Sequence, residues 1–149
     1  METKQFGGVI LYAMLGSILL LLVLILTMHE AELPVMVLGI VIPVLAFAVL
    51  LFYDLSVKVT REEVAIRFGI GLIRMSFAIS DIETCTPVTN KYWYGWGIHF
   101  IGRTIIYNVS GMKAIELTFK GRRRKVRIGT DQPEELSRYI NEMVYQRKR

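Results

Sequence analysis

Two uninterrupted apolar runs constrain this chain more than anything else in it. Phe6 to Met28 is 23 residues without one charged side chain, and Leu33 to Tyr53 is another 21. A bilayer core about 30 Å thick takes roughly 20 apolar residues as a helix. The lengths therefore predict transmembrane helices at 6–28 and 33–53, joined by a short extracytoplasmic loop at 29–32, His-Glu-Ala-Glu. Lys4 could serve as the basic start of a cleaved signal peptide. The first run is too long for that, because a signal h-region takes about 7–15 apolar residues, and no Ala-x-Ala-like site follows. Pro34 falls in the first turn of the second helix, where its missing N–H costs little. Ala13, Gly16 and Ser17, and Gly39 with Ala46, offer small-residue seams for close helix packing.

Charge sets the orientation. The connector carries two Glu and no Lys or Arg, whereas residues 54–149 carry 17 Lys+Arg and 10 Asp+Glu. By the positive-inside rule, residues 1–5 and 54–149 are cytoplasmic and the loop lies outside. The expected localisation is integral to a bacterial cytoplasmic membrane, with two spans and both termini inside.

After Tyr53 the apolar period changes to two. "SVKVT", "VAIRFG" and Ile73–Phe77 alternate as half-buried strands do, and Gly69 and Gly71 mark a turn. Further strands are expected at Ile82–Val88, Thr104–Asn108, Lys113–Lys120 and Arg124–Ile128. Beyond them, Leu136, Ile140, Met143 and Val144 fall on one face of a helix. Asp131 with Glu134 resembles a capping box at its start. The fold class is thus an α-helical transmembrane hairpin plus a mainly-β domain of about seven antiparallel strands and a C-terminal amphipathic helix. One cysteine, Cys85, excludes an intramolecular disulfide.

Seven strands and a terminal helix follow the order of a pleckstrin-homology-like domain. "VAIRFGIGLIRMSFAISDIETCTPV" resembles the first half of bacterial PH-like domains. "WYGWGI", "YNVSG", "AIEL" and "RIGTDQPEEL" resemble the second half of small membrane-anchored members. The likeness covers Leu55 to about Val144 and departs at His99 and Ile105, where Arg and Trp are expected. It implies binding of lipid headgroups, peptides or proteins without catalysis, and fold alone fixes none of these.

Lys120, Arg122, Arg123, Arg124, Lys125 and Arg127 put six cations into eight residues with no acid among them. They are the candidate contacts for anionic headgroups or an acidic partner, each contributing about 1 kcal/mol near an anionic leaflet. The competing reading is a solvated edge that serves only topology. No nucleic-acid motif accompanies the run. Within "KYWYGWGIHF", Lys91, Tyr92 and Trp93 are the aromatic contact candidates, and Trp96 is expected to pack inward between its two glycines. No P-loop, Gly-x-Ser-x-Gly, metal-ligand cluster or nucleophile–base pair is present, so neither an enzyme nor a cofactor is expected. The expected function is a non-enzymatic, membrane-anchored binding or scaffold module at the inner leaflet. The alternative is an accessory subunit of a larger membrane complex or homo-oligomer, with the hairpin as assembly surface.

Overall fold

A computed structural model describes residues 1–27 and 32–147, with side chains described at all of these except 25 and 32–38. The elements run β1 (Glu2–Phe6), α1 (Gly8–Thr27), α2 (Glu32–Phe52), β2 (Asp54–Val59), β3 (Glu63–Phe68), β4 (Ile73–Ala78) and β5 (Ile82–Thr89). After a 3₁₀ turn at Tyr92–Tyr94 come β6 (Gly97–Ile101), β7 (Thr104–Asn108), β8 (Lys113–Phe119), β9 (Arg122–Gly129) and α3 (Pro133–Arg147). They make a four-stranded sheet A, ordered β1-β2-β3-β4, and a five-stranded sheet B, ordered β5-β8-β9-β7-β6.

The alternation read from the sequence sets which face each strand buries. Leu55, Val57, Val64, Ile66 and Phe68 of sheet A meet Cys85, Tyr107, Ile115, Leu117 and Ile128 of sheet B in one core. Tilted ring contacts join the sheets, Phe68 to Tyr107 at 6.2 Å and Phe77 to Phe119 at 5.7 Å. Leu136, Ile140 and Val144 of α3 enter the same core along one helical stripe. Asn141 on α3 also closes an edge. Its Nδ2 donates to the Cys85 carbonyl at 2.8 Å and its Oδ1 accepts from the Cys85 N–H at 2.9 Å. A side-chain amide thus stands where a neighbouring strand would pair with β5, which blunts an open sheet edge.

The α1–α2 pair is inserted into a β-hairpin. β1 and β2 are antiparallel, Phe6 opposite Asp54, and the Gly7 N–H donates to the Tyr53 carbonyl at 2.7 Å. At the other junction the Ile70 N–H donates to the Leu50 carbonyl at 3.1 Å, satisfying a C-terminal carbonyl of α2. Gly69 lies against the same carbonyls with φ of +43°, so neither its space nor its backbone admits a side chain.

Several expectations are corrected. Among the described residues no helix is long and apolar enough to cross a membrane. The two-span transmembrane hairpin, the integral membrane partnership and the bacterial inner-membrane localisation are therefore not supported. No described atom outside the helix backbone lies within 4 Å of a Cβ built on Gly16 or Gly39, so these two glycines do not mark a close helix contact. Met28–Ala31, most of the expected loop, and the basic end Lys148–Arg149 lie outside the described residues.

Residues 1–5 were expected only as a cytoplasmic N-terminus without a strand of their own, and Glu2–Phe6 form an edge strand. Gly97–Ile101 form a further strand, so among the described residues nine strands stand where about seven were expected. β7 and β9 pair in parallel, which a purely antiparallel count does not contain. Asp131 does not cap α3. Its carboxylate accepts from Gln5 Nε2 at 3.3 Å, and Pro133 opens the helix.

Candidate functional site

The basic run lies on β9 and on the turn before it, and sheet pairing gives most of it partners. Glu116 on β8 is directly opposite Arg127 and is only 7% exposed. Lys125 Nζ donates to Glu116 Oε1 at 2.7 Å, and Arg127 Nε donates to Oε2 at 2.8 Å. Arg127 Nη1 also reaches Asn90 Oδ1 at 3.3 Å. Burial alone would raise the Glu116 pKa, but the hydrogen bonds from Lys125 and Arg127 outweigh it and hold the carboxyl below its usual value. Two of the six candidate cations are therefore committed to a clamp within the sheet.

Two more make local contacts. Lys120 Nζ donates to the Ser80 carbonyl at 2.7 Å. Arg122 lies 3.6 Å from Asp81, an exposed pair worth little in stability. Arg123 and Arg124 have neither ion pair nor side-chain hydrogen bond among the described residues. They occupy a bulge, because Thr118 pairs with Lys125 while Phe119 pairs with Arg122. The parallel β7–β9 pairing adds a residue the sequence reading missed. The Lys125 N–H donates to the Arg103 carbonyl at 3.0 Å, which sets the β6–β7 turn beside the bulge. Arg103, Arg123 and Arg124 thus share one end of sheet B, with exposed Phe100 and Ile101 nearby on β6.

The aromatic candidates lie at the other end. Lys91, Tyr92 and Trp93 precede β6, whose first residue Gly97 pairs with Asn108, and the Asn90 N–H donates to the Met112 carbonyl at the start of β8. The seven residues of β8 separate that end from the arginine turn, roughly 20 Å of strand. Tyr92 and Trp93 are exposed, and Lys91 Nζ sits 5.0 Å from the Trp93 ring centre. Trp96 is 45% exposed, so the expected inward packing does not occur. The local geometry gives the reason. Gly95 and Gly97 take φ of +71° and +107°, which turns the chain outward at Trp96. The His99 Nε2–H donates to the Trp96 carbonyl at 2.7 Å, and that ring fills the space beside Gly95. His99 is a peg for this loop.

A second basic surface lies on the outer face of sheet A, where the sequence reading placed no site. Lys4, Ser56, Arg67 and Arg74 are successive cross-strand partners on β1, β2, β3 and β4. A groove of about 500 Å³ runs over this face, lined by Ser56, Lys58, Arg67 and Arg74, with Glu2 and Glu63 also on its walls. No ion pair joins these acids to these cations among the described residues. Elsewhere, Cys85 is buried, and burial pushes its thiol up to about 12, which keeps it protonated and a poor nucleophile at neutral pH. No group of three or more metal-ligating side chains occurs among the described residues.

The chain matches no protein-family model, no curated protein and no solved structure. The pleckstrin-homology-like resemblance is corrected accordingly. No family match carries it, and the strand count and the parallel β7–β9 pair depart from it. What can be stated is a mainly-β, two-sheet fold with three helices among the described residues.

Proposed function

We propose that the chain is a non-enzymatic binding and scaffold module that docks an acidic protein segment on the cationic end of sheet B. The observation that carries this reading is the grouping of Arg103, Arg123 and Arg124 at one end of the sheet without an ion pair among the described residues. Their neighbours Lys125 and Arg127 already have a carboxylate. Free guanidinium groups take carboxylates bidentately, and exposed Phe100 and Ile101 add apolar contact beside them.

The test uses the full chain in mild detergent, which shields the exposed apolar side chains of α1 and α2, and a labelled Glu/Asp-rich peptide. Binding should weaken with salt. Arg123→Glu with Arg124→Glu should weaken it by about tenfold or more, since each 1.4 kcal/mol is a factor of ten. Changing Lys91 and Trp93 to Ala should leave it intact. Equal affinity in the arginine variant removes this reading. Anionic headgroups carry the same charge, and binding to anionic but not neutral vesicles without any to the peptide would reassign the ligand.

A second reading, an accessory subunit or homo-oligomer that assembles through α1 and α2, is favoured by a separate observation. Tyr12, Leu19, Leu20, Leu26, Ile40 and Val44 are all more than 60% exposed. Contiguous apolar surface beyond a few hundred Å² marks an interaction surface. Native mass measurement after gentle detergent extraction decides it, and a monomer without a co-purifying chain rejects it.

A further inference from the structure

The outer face of sheet A arranges charge in a way that the core and the hairpin do not require. Arg67 and Arg74 are direct cross-strand partners. Like charges in that position destabilise a sheet unless something neutralises them. Neither makes an ion pair among the described residues, and the only side-chain hydrogen bond of the two is Arg74 Nε to the Gly71 carbonyl at 2.6 Å. Both side chains converge on the β3–β4 turn. A Cβ placed on Gly71 would lie 2.9 Å from Arg67 Cδ and 3.1 Å from Arg74 Nη2, and Gly71 has φ of +86°. The turn therefore leaves room for two guanidinium groups side by side.

A buried hydroxyl completes the row. Ser56 lies opposite Arg67 and lines the groove, is only 5% exposed, and has an Oγ without a hydrogen-bond partner. A buried polar atom left unpaired costs about 1–3 kcal/mol, so a ligand group that reached this hydroxyl would recover that cost. Lys4 follows Ser56 on β1, and Lys58 stands one row along on β2. Asp54, two residues before Ser56, is itself buried with one carboxylate oxygen unpartnered among the described residues.

We infer that this groove binds the phosphoryl group of a small phosphorylated molecule or a lipid headgroup. Arg67 and Arg74 would take two phosphate oxygens in charge-assisted hydrogen bonds. The Ser56 hydroxyl would donate to another, and Lys4 and Lys58 would supply further positive charge. A phosphate group offers several strong acceptor oxygens and up to two negative charges, which fits two guanidinium groups and one hydroxyl on adjacent strands about 4.8 Å apart. Glu2 and Glu63 on the walls suit hydroxyl or ammonium groups on the rest of the ligand.

The test titrates the full chain in mild detergent with inorganic phosphate and, separately, with short-chain phosphatidic acid in the same micelles. Saturable binding at one site per chain is expected for at least one probe. Inorganic phosphate binding identifies a soluble phosphoester as a sufficient source, and binding of phosphatidic acid alone assigns a lipid headgroup. Arg67→Gln with Arg74→Gln should lower affinity by about tenfold or more, and Ser56→Ala by a factor of about 2–10. These arginines are exposed and make no structural ion pair, so the double variant should fold like the parent, as circular dichroism would show. Arg123→Glu with Arg124→Glu should bind both probes as the parent does, which separates this site from the acidic-segment surface. No binding of either probe, or unchanged affinity in the Arg67/Arg74 variant, overturns the inference.

Discussion

The outer faces of the two sheets use the same residue types to opposite ends. On sheet B, Lys125 and Arg127 on one strand flank a carboxylate on the next, so Glu116 is nearly buried and both cations are committed. On sheet A, Arg67 faces Arg74 across the strand pair, and the hydroxyl beside them lacks a partner. The first arrangement is complete within the chain. The second leaves two like charges side by side without an ion pair among the described residues, as the proposed anion site requires. Counting basic residues along the sequence therefore does not tell paired cations from unpaired ones, since Lys125 and Arg127 of the densest run share Glu116 while Arg123 and Arg124 have no such partner among the described residues.

Substitutions should separate the two faces by size of effect. The largest is expected for Glu116→Ala, which leaves Lys125 and Arg127 without their shared partner and should destabilise the chain by about 2–4 kcal/mol in denaturant unfolding. A change comparable to a surface substitution would mean that the clamp is not structural. Gly71→Ala comes next. The strain of a left-handed backbone should cost about 1–2 kcal/mol, and its Cβ should also push Arg67 and Arg74 apart, so phosphate affinity should fall with stability. Loss of stability without loss of affinity would separate the turn from the proposed anion site.

Acid sensitivity is a smaller and signed effect. Glu116 has a folded pKa below its unfolded value, so its contribution is full above the unfolded value, about 4.3. It is lost as pH falls through the folded value. Stability of the parent should therefore drop more steeply below about pH 4 than that of Glu116→Gln. Parallel acid curves would contradict the assignment. Smallest of all, Arg67→Gln should change stability in phosphate-free buffer by no more than about 0.5 kcal/mol. A large loss there would show that Arg67 has a structural partner.

Much of the β-domain was legible because its strands bury one face each. The alternation in "SVKVT" and "VAIRFG", and the stripe of Leu136, Ile140 and Val144, map directly onto core positions. β1 was not legible because its inward residues, Thr3 and Gln5, are polar and give no alternation of hydropathy. β6 was hidden by the glycines and by aromatics that the loop turns outward. The Glu116 clamp could not be read because the bulge at Arg123–Arg124 shifts the register of the β8–β9 pair. The Arg67–Arg74 pair could have been read. A hairpin centred between Ile70 and Gly71 makes residues equidistant from that point cross-strand partners, and those two arginines satisfy that condition. The apolar runs were read as spans from their length, their lack of charge and the charge on either side of them, and among the described residues no helix is long and apolar enough to cross a membrane.

The most direct test of the contrast between the faces is the thermal unfolding midpoint of the full chain in phosphate against chloride at matched ionic strength. A ligand that binds only the folded state raises the midpoint as its concentration grows. The parent and the Arg123→Glu/Arg124→Glu variant should both gain stability in phosphate, and Arg67→Gln/Arg74→Gln should not. A gain that persists in the Arg67/Arg74 variant, or that is absent from the parent, would contradict the account.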